Sequence, residues 1–486
     1  SYSMVSSIGI SLALGIFIAL MFALFFLPSL IMLVGDRVFW PTSIKYVKER
    51  YEDPSKASRM SRFSKNYFER TARTSIKHAK VFVLAAILIS IPAVYAVTTM
   101  DTSFDVISTM PESEAKTGVD DIVEGFGGGM ISPIFIAVEF DSRFYNGTGG
   151  DLDGREDVQG IADEILELNL SQVFDLRYFD LIEDICDDIS EVDNIRDINS
   201  PTRPYGTPID YEDFQNYTLI EQAEFLIMMQ QDVSKNGSAV MIQVTMENQP
   251  YSETSIGTVE DLRGLIVEEL DRPHVVATYL AGGTALMYDI SMLVGEEFDV
   301  MEMLAIILIY IILLAVMGSV FTPIRSIVTI LMSVFWTLAI TAFVFEYVLG
   351  DQLLWLMPIV LIVVCLGLGM DYDIFLTTRI REEVHKGKSI KDAIVSSVRA
   401  TGGIITICGL IMAGAFATMT LSGSVMLQEF GFALAFAIIL DATVVRMYLV
   451  PAIMSLMGKW NWWAPGRLQR TSTEHLDKED PEQESE

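Results

Sequence analysis

Asp371, Tyr372 and Asp373 stand side by side in Gly367-Leu-Gly-Met-Asp371-Tyr372-Asp373-Ile-Phe375, inside a long apolar stretch. A carboxylate in a bilayer costs a few kcal/mol or more, so it persists where it faces partners and does work. Asp371 at that depth is a candidate for reversible proton binding, and the Tyr372 hydroxyl can donate to its charged form. Gly367, one turn earlier on the same helix face, lets a second helix approach closely, and Phe375 lies one turn later. Asp373 points about 200° around the helix from Asp371 and is expected to play a different part. The competing reading ends the helix near Met370 and leaves both acids among lipid headgroups. Asp441 lies mid-span in Ile-Leu-Asp441-Ala-Thr443-Val-Val-Arg446. It either joins a proton relay with Asp371 and Tyr372, or pairs with Arg446 or a hydroxyl of a facing helix.

Little else in the chain suggests chemistry. No Ser-His-Asp set, histidine-based metal cluster or nucleotide loop is apparent, so neither an ordinary enzyme nor a cofactor or metal is expected. His78, His274, His385 and His475 all fall outside the apolar stretches, and Cys186, Cys365 and Cys408 are too few for a disulfide framework.

The elements that must position these residues are membrane helices. The 486 residues are 51% hydrophobic, with a mean hydropathy of +0.40, and their apolar residues gather in blocks. A span needs about 20 mostly apolar residues, and seven stretches qualify: 8–34, 81–99, 301–320, 324–346, 353–378, 402–421 and 430–457. The formal charge of -31 excludes nucleic acid as a partner, because phosphate binding needs clustered Lys and Arg. From Asp101 to Gly295 there are about four Asp or Glu for every Lys or Arg, and the tail from Glu474 is acidic too.

Charge also sets an orientation. Residues 36–80 are rich in Lys and Arg, among them Lys45, Arg59, Arg70, Arg73 and Lys77, and the loop after the fifth span carries Arg379, Arg381, Lys386, Lys388, Lys391 and Arg399. The positive-inside rule makes both cytoplasmic. The polar region between the second and third spans is then extracytoplasmic, and the carboxyl terminus cytoplasmic, in a cell membrane. All four Asn-x-Ser/Thr sequons (Asn146, Asn169, Asn216 and Asn236) fall in that polar region as possible glycosylation sites.

The first and last spans end alike. Pro28 is followed by Gly35 and Trp40, and Pro451 by Gly458 and Trp463, at identical spacings. That match predicts an internal repeat, in which 1–35 is the last helix of a first repeat whose remainder is missing. A complete seven-span protein is the alternative. The remaining boundaries are a basic cytoplasmic linker 36–80, a span 81–99, an extracytoplasmic domain 100–299, a five-helix bundle 300–457 and an acidic cytoplasmic tail 458–486.

In the extracytoplasmic domain, Pro133–Phe140, Val192–Ile198, Ala239–Glu247 and Val275–Ala281 read as strands. Helical patterns over 157–169, 175–189, 210–232 and 254–270 separate them. Stripped of insertions the order is β-α-β-β-α-β, an α+β, ferredoxin-like unit. The glycine run from Gly125 to Gly129 lacks the Lys-Ser/Thr of a phosphate cradle and reads as a turn or hinge. Beyond Ala281, residues 282–299 run as a helix straight into the third span.

Met110-Pro-Glu-Ser-Glu114, Phe126-Gly-Gly-Gly, Gly367-x-x-x-Asp371-Tyr372-x-x-Phe375 and the closing Leu440-Asp-Ala-Thr-Val-Val-Arg446 to Trp462-Trp463 together resemble the RND superfamily of exporters, in its MMPL-type branch. The resemblance implies twelve spans in two repeats, each bearing an external porter domain, and paired Asp-Tyr motifs on two central helices forming a proton relay. It implies export of lipid or other hydrophobic or amphiphilic cargo, with membrane lipids as surroundings. Here only the second pair is present, as Asp371 and Tyr372, so a first-half repeat or an oligomeric partner is expected to complete the transporter. Two other readings fit the chain: a lipid-binding, sterol-sensing-like receptor or scaffold, and a helper for protein secretion.

Overall fold

The computed structural model describes residues 3–35, 37, 59–100, 102–105, 109–143, 175, 177–209, 218, 228, 231–269 and 272–465. Two compact units result: Ser1–Asp101, Leu293–Ser422 and Met426–Glu486 in one, and Thr102–Met292 with Gly423–Val425 in the other. The expected helix 157–169, the sequons Asn146, Asn169 and Asn216, most of 36–58 and of 210–230, and the tail from 466 lie outside the described residues. Asn236 is described and exposed, its Oδ1 accepting from Ser234 Oγ at 2.7 Å.

The first membrane helix comprises α1 (Ser3–Met21), a π-helical stretch Phe22–Phe26 and α2 (Leu27–Val34). Its described side chains are exposed along nearly the whole length. Next come α3 (Arg59–Lys77) and α4 (Ala79–Thr98), separated by a single break at His78.

In the second unit, α5 (Glu114–Phe126) starts where Ser113 Oγ accepts the Lys116 N–H at 3.2 Å, a helix cap written into Pro111-Glu-Ser-Glu. Then follow β1 (Ile134–Phe140), α6 (Arg177–Ser190), β2 (Ile195–Asn199), β3 (Ala239–Met246), α7 (Glu253–Glu269) and β4 (Val275–Gly282). The sheet order is β2-β3-β1-β4, antiparallel throughout. β1 alternates buried and half-buried residues, so Ile134, Ile136, Val138 and Phe140 all point into one core. On α6, Tyr178, Phe179, Ile182, Ile185, Cys186 and Ile189 follow the 3–4 spacing of a helix face and close that core with Ile242, Val244 and Leu262. Each such side chain contributes roughly 1.5–3 kcal/mol on burial.

The glycine run is a site of close packing. Gly127 (φ +89) ends α5, and a Cβ on Gly129 would lie 2.2 Å from the Met246 carbonyl oxygen. Only glycine lets this turn press against the end of β3.

The chain returns to the first unit through α8 (Gly283–Met317), one unbroken helix of 35 residues. It continues as α9 (Phe321–Ala342), α10 (Met357–His385), α11 (Ile390–Ala417) and α12 (Val425–Leu440); a π-helical stretch Asp441–Leu449 then leads into α13 (Val450–Met457). Seven helices among the described residues are long and apolar enough to cross a membrane, and each overlaps one of the seven stretches read from sequence, the sixth starting twelve residues earlier than expected, at Ile390. α3 and α4 pack into the bundle as well: Phe68, Ala72, Ala86 and Ala93 share a core with Trp336, Leu376, Val398 and Val445. The Trp336 indole N–H donates to Ser90 Oγ at 2.9 Å. The last span is tied down where the Val320 N–H donates to the Trp463 carbonyl at 3.0 Å and Phe321 packs on Trp460 and Trp463.

The ends of the first and last spans match in three dimensions. In each, a π-helical stretch stops two residues before a proline, an eight-residue helix follows, and a glycine at positive φ (+57 at Gly35, +52 at Gly458) closes it. The cause is shared. A proline lacks its N–H and its ring crowds the carbonyl four residues back, at Leu24 or Met447, so the turn before it widens.

Candidate functional site

α10 does not stop at Met370. It runs through Asp371, Tyr372 and Asp373 to His385 and presents two faces. Val363, Gly367, Asp371 and Phe375, spaced four apart, form an exposed stripe; a Cβ on Gly367 would meet nothing within 4 Å. Cys365, Gly369, Asp373 and Thr377 form a buried stripe. Asp373 is therefore the carboxylate that faces the interior, and Asp371 has no hydrogen-bond or ion-pair partner among the described residues. The 200° offset read from sequence holds, but the inward side of the helix belongs to Asp373.

Around Asp373 four charges alternate. Arg325, on the second turn of α9, donates from Nη2 to Asp373 Oδ2 at 2.7 Å and to Thr377 Oγ1 at 3.2 Å. Ser326 Oγ donates to the same Asp373 oxygen. Arg446 donates from Nη1 to Asp373 Oδ1, and from Nη2 to the Gly369 carbonyl. Arg446 also reaches Asp441 Oδ2 from Nε and Nη2, each at 3.2 Å. The four residues are at most 6% exposed. The sequence Arg325, Asp373, Arg446, Asp441 thus runs plus, minus, plus, minus and cancels formally, which is the arrangement that lets charges survive desolvation.

The Asp441–Arg446 contact depends on backbone geometry. Five residues on a regular α-helix subtend about 140° beyond a full turn, which points two side chains apart. A π-helix closes its hydrogen bonds at five residues and stacks such a pair on one face. The stretch Asp441–Leu449 is wound in this way. Aligned on the two prolines, the first span's π stretch corresponds to 445–449 only, so the last span extends the winding upstream to Asp441.

Tyr372 lies between the two faces of α10. With Ser333, Cys365, Gly369, Ile438 and Asp441 it lines a small cleft inside the bundle. Its hydroxyl lies against Met412 Sδ. Asp441 Oδ1 is buried with no hydrogen-bond partner among the described residues. From Ser326 a series of buried hydroxyls (Thr329, Ser333, Thr337 and Thr341) follows one face of α9, each donating to a carbonyl three or four residues back.

Of the sequence candidates, Tyr372, Asp441 and Arg446 come together, whereas Gly367, Asp371 and Phe375 stand on the outer stripe. Sequence reasoning missed Arg325, and it set Asp373 apart from Asp371 without giving it a partner. Arg325 and Arg446 are the basic residues within the apolar blocks 324–346 and 430–457, and asking which acids balance them would have pointed to Asp373 and Asp441. Among the described residues no group of His, Cys, Asp and Glu is placed to hold a metal ion.

The described residues thus form a multi-pass membrane bundle with an inward-facing ion-pair array. A family profile described as the MMPL family matches residues 1–75 and 175–475, and the chain belongs to that family. A membrane protein of Streptomyces coelicolor, SCO5905, is 26% identical over 456 residues, covering 93% of this chain and 45% of that protein. The siderophore exporter MmpL5 of Mycobacterium tuberculosis is 27% identical over 256 residues, 52% of this chain and 26% of that protein. The trehalose monomycolate exporter MmpL3 of Mycolicibacterium smegmatis is 31% identical over 245 residues, 49% of this chain and 23% of that protein. The chain spans less than half the length of each of these relatives.

Proposed function

We propose that this chain is part of a secondary active exporter in which proton movement through the bundle drives release of a lipid or another hydrophobic or amphiphilic molecule. The observation that carries the reading is the placement of Asp371 and Tyr372 on adjacent faces of α10. Asp371 is presented outward; Tyr372 opens inward onto the cleft that holds the unpartnered oxygen of Asp441. A proton taken up at Asp371 and passed to Asp441 leaves the inner array with one uncompensated positive charge. Arg446 then loses its hold on Asp441, and the bundle shifts between two packings. Each proton crossing 100 mV supplies about 2.3 kcal/mol, enough to move a two-state equilibrium by about fifty-fold.

The basic segments 59–80 and 379–399 support a cytoplasmic placement on that side, with Thr102–Met292 outside as a ferredoxin-like porter domain. Its β-α-β-β-α-β succession and strand order support that assignment. The open stripe Gly367, Asp371 and Phe375 is read as the face met by a first-half repeat or an oligomeric partner, since an unpartnered carboxylate facing lipid is costly. The exposed first span is read as the closing helix of that other repeat.

Proton flux into proteoliposomes under an imposed pH gradient, with a panel of lipids as cargo, tests the reading. Asp371→Asn is expected to abolish cargo-stimulated flux while the protein elutes and melts as wild type does. Undiminished flux in that variant would sink the relay.

A further inference from the structure

We infer that α3 is a docking surface for anionic phospholipid headgroups, made by a basic stripe that continues into the span α4. At about 100° per residue, Phe63, Tyr67, Arg70, Thr74 and Lys77 fall within a sector of about 80°, and all are exposed. Phe68, Ala72 and Ser75 occupy the opposite side and are buried against the bundle. Lys80, just past the break at His78, carries the stripe onto α4 and is exposed too. The surface therefore has aromatic rings at one end, Phe63 being 73% and Tyr67 48% exposed, and cations along the rest. This combination suits the boundary between headgroups and acyl chains.

Two observations place the stripe at that boundary. Only His78 separates α3 from α4, a membrane span in its own right. On its buried side, the Phe68 ring sits where a Cβ on Gly402 would come within 2.7 Å. That is the level at which α11 changes from Lys391, Asp392, Ser396, Ser397 and Arg399 to an apolar run. The charges are also uncommitted. Glu69 is taken by Arg73 and Arg399, at 3.0 and 3.1 Å, whereas Arg70, Lys77 and Lys80 have no acidic partner among the described residues. In a chain of net charge -31, such a cluster marks an anionic neighbour, and the contiguous neighbour is the leaflet itself.

The full chain is reconstituted in phosphatidylcholine bilayers with and without one quarter phosphatidylglycerol, and lysine acetylation is followed by mass spectrometry. Lys77 and Lys80 are expected to react about fivefold more slowly with the anionic lipid present, the factor equivalent to about 1 kcal/mol per basic side chain. Lys65, outside the sector, should be unaffected, and high salt should remove the difference. An Arg70→Gln/Lys77→Gln/Lys80→Gln variant should retain fewer phosphatidylglycerol molecules through detergent exchange than wild type while eluting identically. Equal labelling in both bilayers would overturn the inference. So would protection that persists in pure phosphatidylcholine and disappears on deletion of 474–486, which would assign the stripe to the acidic tail of the same chain.

Discussion

Replacing Arg325 with methionine removes one of two cations from Asp373 and leaves the buried array with a net negative charge. Asp373 keeps Arg446 and Ser326, but the 2.7 Å bond from Arg325 is gone. Breaking one side of a buried ion pair costs about 3–5 kcal/mol, because the surviving charge stays desolvated. Asp373→Leu alone should cost as much or more, since Arg325 then has only Ser326 and Thr377 nearby. Together, Arg325→Met and Asp373→Leu leave Arg446 and Asp441 as a balanced pair in a more apolar interior. The double variant should then be less destabilised than the sum of the singles by about 2–3 kcal/mol. Helical content followed through a denaturing-detergent titration in mixed micelles gives the four values of the cycle. Additivity within about 0.5 kcal/mol would refute the claim that the four charges act as one array.

Pro451→Ala restores an N–H and relieves the crowded Met447 carbonyl, so the π winding should relax and the Asp441–Arg446 contact weaken. Transport is expected to fall, with altered amide exchange confined to 441–449. Gly129→Ala places a methyl against backbone and should lower the melting temperature, by the equivalent of about 1–3 kcal/mol. Gly367→Ala meets open space and should leave the isolated chain's stability unchanged, while impairing transport if another helix docks there. Burial pushes the Asp232 carboxyl up to about 6 from its ordinary 3.8. The folded state thus holds that proton more tightly, a stabilisation present below about pH 4 and lost as pH rises through 6. Asp232→Asn should raise stability at pH 7 by about 1 kcal/mol after allowing for solvent screening, and by nothing at pH 4, as read from melting curves at the two pH values.

The membrane helices were legible because twenty apolar residues in a row have few other soluble fates, and the strands because Ile134, Ile136 and Val138 alternate with half-buried neighbours. The inner array was not. Asp373 meets Arg325 across 48 positions and Arg446 across 73, a pairing that only helix packing creates. Arg325 begins an apolar block and so reads as an interfacial charge. The Asp441–Arg446 contact was open as an alternative, yet regular helical periodicity argues against it, and the π winding that permits it has no period in the sequence. Its one local signal is the proline that follows. The Phe126-Gly-Gly-Gly run was legible as a turn, but its tightness against Met246 depends on a strand more than a hundred residues away.

The first span wraps its π turn around Phe22-Ala-Leu-Phe-Phe26, with no charge in it. The five residues nearest the proline are therefore wound by backbone sterics alone, and in the last span the bridge from Asp441 to Arg446 carries the winding further upstream. A wide turn that reverts to a regular one re-phases everything before it. Neutralising Asp441 would let the thread slip back toward 445 and turn α12, the helix upstream, about its own axis. The last membrane helix is in this sense a screw with a fixed stop at Pro451 and a catch at Asp441, the residue to which the proposed relay would deliver its proton.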